Sequence, residues 1–87
     1  MKEVNDLKMY TREEVGELIR AHKDTVVMLS EVGCLLATKI GKRYMYSYES
    51  IKKFQHDYAG LDVSNRLKAI KSKEIVTNRQ NNVSSGL

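Results

Sequence analysis

Residues 10–51, YTREEVGELIRAHKDTVVMLSEVGCLLATKIGKRYMYSYESI, set helix signals and turn signals so close together that few arrangements satisfy them all. Thr11 followed by Glu14 is a capping box, in which hydroxyl and carboxylate each take up a backbone N–H that the first turn leaves unpaired. Glu13 and Glu14 also suit the positive end of the helix dipole. Val15, Leu18 and Ile19 then recur at i, i+3 and i+4, an apolar stripe for a first helix. Gly16 lies inside that helix at a cost of about 1 kcal/mol relative to alanine, which a close helix–helix approach would justify.

The pattern breaks at Arg20-Ala21-His22. His22 or Asp24 can open a second helix, with Val26 and Leu29 inward and Gly33 as its left-handed stop. The run Leu35–Ile40, the turn Gly41-Lys42-Arg43 and the run Tyr44–Ser47 read as an antiparallel hairpin. The pattern leaves open whether the Tyr44/Tyr46 face or the Met45 face turns inward. Ser47 with Ser50 starts a third helix whose Ile51, Phe54 and Tyr58 share a side, with Gly60 as its stop. Asp62 or Ser64 can cap a short fourth helix, with Val63, Leu67 and Ile70 on one side. The polar 77–87 stretch, TNRQNNVSSGL, lacks the bulky residues of a packed segment and is expected to be disordered.

Residues 1–9 are therefore expected as a frayed end, 10–60 as the folded unit, and 61–87 as a basic helix or tail with a disordered end. The fold class is α+β and mainly helical, three helices with a two-stranded hairpin and a possible fourth. That order is the plan of a winged helix-turn-helix, whose second helix commonly enters the DNA major groove.

The charge balance favours an anionic partner, with a formal net charge of +4. Residues 1–60 carry ten Lys/Arg against nine Asp/Glu, and residues 61–87 five against two, so any basic surface on the folded unit must be local. No run approaches the ~18 apolar residues of a membrane span, and MKEVNDLKMY lacks a signal-peptide core. A single cysteine, Cys34, builds no disulfide framework, which points to a reducing cytoplasm. His22, Cys34 and His56 lack metal-ligand spacing, so no metal and no cofactor is expected. No residues are spaced to hold a nucleophile beside a base, so the chain is not expected to be an enzyme.

Residues 10–58 resemble the excisionase-type, MerR-like winged helix-turn-helix proteins of phages and mobile elements. The resemblance is carried by Tyr10-Thr11, Glu14, Thr25, Gly33, the tip Ile40-Gly41-Lys42-Arg43-Tyr44, and Ser47-Tyr48-Glu49-Ser50-Ile51. It implies that the helix from His22 to Ser30 enters the major groove, with Lys23, Asp24 and Met28 outward. Lys42 and Arg43 would then meet phosphates or the minor groove. The implied DNA-contacting set is His22, Lys23, Asp24, Thr25, Met28, Lys39, Lys42, Arg43 and Tyr44.

The second helix departs from the family by offering Val27 and Met28 where a polar residue is common. Base reading is weaker there, since a bidentate Arg–guanine pair is worth about 1–3 kcal/mol. The expected function is a small, sequence-selective, double-stranded-DNA-binding accessory protein. It would act in recombination directionality or transcription control as a homodimer or a cooperative array, beside an integrase or repressor. Two alternatives stand next to it. One is a protein-interaction module (antirepressor or adaptor) binding a repressor, integrase or polymerase through Val27, Met28, Leu67 and Ile70; the other is a small terminase-like packaging subunit.

Overall fold

The computed structural model describes residues 7–85. Seven elements follow one another: β1 (Met9–Tyr10), α1 (Arg12–Ile19), α2 (Lys23–Val32), β2 (Thr38–Ile40), β3 (Arg43–Ser47), α3 (Tyr48–Asp57) and α4 (Arg66–Ser85). Among the described residues the protein is α+β and mainly helical, with an antiparallel sheet in the order β1-β3-β2.

The local signals form as expected. Thr11 Oγ accepts from the Glu14 N–H at 3.1 Å, and Glu14 Oε1 accepts from the Thr11 N–H at 3.0 Å, closing the capping box. Ser47 Oγ takes up the Ser50 N–H at 3.0 Å to start α3. Gly33 ends α2 at φ 102° in the left-handed region, and its N–H returns to the Leu29 carbonyl. The first helix stops differently: Arg20 itself adopts φ 60°, a left-handed cap without glycine.

Gly16 is needed for the turn rather than for a helix crossing. A Cβ there would lie 2.5 Å from the Ala21 carbonyl oxygen, and the Ala21 N–H donates to the Gly16 carbonyl at 2.8 Å. The chain thus folds back on α1 within three residues, which only a bare backbone at position 16 permits. Gly16 and not Leu18 shares the buried side of α1 with Val15, and Leu18 is 56% exposed. At 100° per residue the side holding positions 15, 16 and 19 excludes position 18.

Three further expectations are corrected. Met9 and Tyr10 form an edge strand, pairing with Ser47 and Tyr46, where a frayed end reaching Met9 was expected. Two residues are too few to carry a periodic signal, so β3 supplies what orders them. Expectations for residues 1–6 and 86–87 lie outside the described residues. The polar stretch from Thr77 continues α4 as far as Ser85, since no glycine or proline interrupts a helix already nucleated upstream.

The fourth helix is opened by neither Asp62 nor Ser64, and Val63 lies ahead of it, while Leu67 and Ile70 of the expected apolar side are exposed. The helix begins with the Asn65 side chain accepting the Lys68 N–H at 2.9 Å, and packs with Ala69, Ser72 and Val76 inward. Ala69 is fully buried and Ser72 donates its hydroxyl to the Asp62 carbonyl at 2.7 Å, whereas Leu67 is 64% exposed. Small residues win this side because they let the helix backbone approach closely. Cys34 Sγ lies 3.6 Å from the Ala69 carbonyl oxygen.

The core joins all four helices and β3 through Val15, Val26, Leu29, Leu35, Tyr46, Ile51, Phe54, Tyr58, Ala69 and Val76. The hairpin register places Tyr46 wholly inside, with its hydroxyl 3.3 Å from Ser30 Oγ. Tyr44, two residues nearer the tip on the same side of the strand, is half exposed because the hairpin has by then run past the core. Among the described residues no helix is long and apolar enough to cross a membrane.

Candidate nucleic-acid interface

The hairpin tip is built by Gly41, which turns at φ 65° with open space around it, between Ile40 and the basic pair Lys42-Arg43. Lys42 and Arg43 are exposed, and neither has a carboxylate partner among the described residues. Pairing of Ile40 with Arg43 and of Lys39 with Tyr44 puts Arg43 and Lys39 on opposite faces of the hairpin. The cations expected at this tip are therefore divided between its two faces.

Facing the tip is a cleft of about 580 Å³. The α1 start contributes Thr11, Arg12 and Glu13, α2 contributes Val27, and the hairpin contributes Lys42, Arg43, Tyr44 and Met45. Arg12 and Glu13 are the residues that the sequence reading missed. In one dimension they look like the first turn of a capped helix, and only the return of the hairpin brings them opposite Lys42 and Arg43. Arg12 Nε lies 3.3 Å from Glu13 Oε2. Hydrogen bonding to its own backbone N–H, then Arg12 and more weakly Lys23, hold the Glu13 carboxyl below the usual carboxylate range.

Comparison of the chain with protein-family models, curated proteins and solved structures gives no match. The geometry of the site therefore carries the functional argument.

The second helix supplies the remaining expected residues. His22 is its N-cap, with Nδ1 accepting the Asp24 N–H at 3.1 Å. Lys23 and Asp24 are exposed, the Asp24 side chain to 84%. Thr25 is half-buried.

Met28 packs against the core, in contrast to the outward position that the resemblance implies. It precedes the fully buried Leu29, and from that shoulder its long, flexible side chain folds inward. The exposed polar side of α2 thus carries Lys23, Asp24 and Glu31, with half-buried Val27 beside them. Glu31 is held by Arg66 of α4 at 2.6 Å.

Cys34 and Tyr58 do not belong to this surface. Both are buried, Cys34 against Ala69 of α4; burial is the main cause that raises both the thiol and the phenol pKa, and Tyr58 stacks on Phe54 at 5.4 Å.

Proposed function

We propose that this protein is a winged helix-turn-helix DNA-binding accessory factor. In this reading α2 lies in the major groove and the β2–β3 hairpin acts as a wing against the adjacent backbone and minor groove. The observation that carries it is the exposed Lys42-Arg43 tip, without ion-pair partners among the described residues, standing across a cleft from the α1–turn–α2 unit. The order of motifs in residues 10–58 supports an excisionase-like or transcription-controlling role in a phage or mobile element, exercised in the cytoplasm.

A single module of this size covers about 600–1,000 Å² of DNA-facing surface. With few base-reading side chains, one copy binds weakly and with marked salt dependence. Useful occupancy then follows from a dimer or from neighbouring copies, and sequence preference draws on DNA bendability as well as on base contacts.

One observation favours a second reading, a protein-interaction module on the same fold. Charge on the exposed side of α2 is balanced, with Lys23 beside Asp24 and Glu31 paired with Arg66, and a surface without net positive charge suits a protein partner better than a phosphate backbone.

Titration of the full chain with a duplex from the neighbourhood of its gene, and with a scrambled duplex, at 50 and 200 mM salt separates the two. DNA binding through the wing gives salt-sensitive affinity with preference for the native duplex, lost in Lys42→Ala/Arg43→Ala. Binding that is absent or wholly unselective rejects that reading in favour of the α2 protein surface.

A further inference from the structure

We propose that the cleft between the α1 start and the hairpin tip seats one sugar–phosphate strand of the duplex. Arg12 grips a phosphate there, and Glu13 holds the Arg12 guanidinium while the cleft is empty. This inference rests on the DNA-binding reading above.

If α2 occupies the major groove and the tip approaches the neighbouring minor groove, the strand dividing those grooves must pass between the two elements. The cleft touches both elements, α2 through Val27 and the hairpin through Lys42 and Arg43, and Arg12 at the start of α1 lines it as well. A DNA strand carries one negative charge about every 3.4 Å, so cations on both walls meet phosphates along a short stretch of it. The planar fork of a guanidinium suits two phosphate oxygens at once. Val27 and Met45 add apolar lining, which suits the deoxyribose between phosphates.

Glu13 is the residue that a simple cationic cleft would lack. Its carboxylate sits beside Arg12 at 3.3 Å, with both side chains about half exposed. Pairs this open are weak, so an arriving phosphate displaces the carboxylate from the guanidinium. Glu13 then lowers affinity for every duplex alike, which leaves binding more dependent on neighbouring copies or on base contacts.

The test is an anisotropy titration of the full chain on the native and scrambled duplexes, at salt concentrations from 50 to 200 mM. Loss of one phosphate contact in Arg12→Ala flattens the slope of log affinity against log salt by about 0.9, so the affinity ratio between those salts shrinks about 3.5-fold. The change is equal on both duplexes, because phosphate contacts carry no sequence information. Glu13→Gln tightens binding to both, and more so with Arg12 present than in the Arg12→Ala background. If melting shows that alanine loosens α1, Arg12→Gln keeps the stem and gives the same flattening, while Arg12→Lys keeps most of the slope.

A wild-type slope in Arg12→Ala, alongside a flattened one in Lys42→Ala/Arg43→Ala, overturns the strand seat and leaves the DNA-binding reading standing. Absence of salt-dependent binding by the unaltered protein removes both.

Discussion

Replacing Gly16 by alanine isolates the constraint that joins the first two helices. On an exposed, unconstrained helix this change stabilises by about 1 kcal/mol, since alanine has the better helix propensity. Here the new Cβ would lie 2.5 Å from the Ala21 carbonyl oxygen, well inside the 3.4 Å at which ordinary contact begins. The obstacle is backbone, and it cannot rotate away as a side chain would. The turn must move by nearly an ångström, straining the 2.8 Å bond from the Ala21 N–H to the Gly16 carbonyl.

Overpacking of this kind costs about 1–3 kcal/mol, and a weakened backbone hydrogen bond adds about 1 kcal/mol. Set against the propensity gain, Gly16→Ala is expected to destabilise by about 1–3 kcal/mol. For a domain of this size that lowers the melting temperature by roughly 5–20 °C. Thermal melting by far-UV circular dichroism measures it directly. Gly41→Ala is the control, because its Cβ meets nothing within 4 Å and only its φ of 65° opposes the change. The control is expected to cost about 1–2 kcal/mol, the ordinary strain of a left-handed alanine. A melting temperature that is unchanged or raised in Gly16→Ala would refute the close approach at the turn.

Two further outcomes follow from the packing and the caps. The Glu14 carboxyl is held below its ordinary value of 4.5, first by the Thr11 backbone N–H and also by Lys8. A depressed carboxyl contributes stability above its unfolded pKa that is lost as pH falls through the folded value, so the protein should lose stability below about pH 4.5. Acid titration of Glu14→Gln should show a smaller loss over that range. Ala69→Leu forces a large side chain into a fully buried site beside Cys34 and is expected to cost about 1–3 kcal/mol, read as a lowered denaturation midpoint in urea.

Much of the fold was legible because its signals are local. The Thr11/Glu14 box, the Ser47 cap, the Gly33 stop and the Ile51/Phe54/Tyr58 stripe each act within about two helical turns, so neighbouring residues suffice to predict them. The exposed basic tip was legible for the same reason, since Gly41-Lys42-Arg43 between strand-forming residues is a short-range hairpin signal. Misreadings arose where a residue's fate depends on a distant element. Met9-Tyr10 becomes a strand only because β3 offers an edge, and Met28 packs against a core that other segments supply.

The same division runs through the candidate interface. The sequence by itself determined α1 to α3, the Thr11 and Ser47 caps, the Gly33 stop and the cations Lys23, Lys42 and Arg43, through hydrogen bonds and dihedral preferences that span a few residues. Tertiary structure decided which tyrosine is buried, that α4 docks through Ala69, Ser72 and Val76, and that Arg12 and Glu13 stand opposite the hairpin tip. Those outcomes depend on burial and approach between segments some thirty residues apart, where competing apolar and small faces have nearly equal local merit. Only the assembled core, with Tyr46 and Ala69 fully enclosed, settles which of them turns inward.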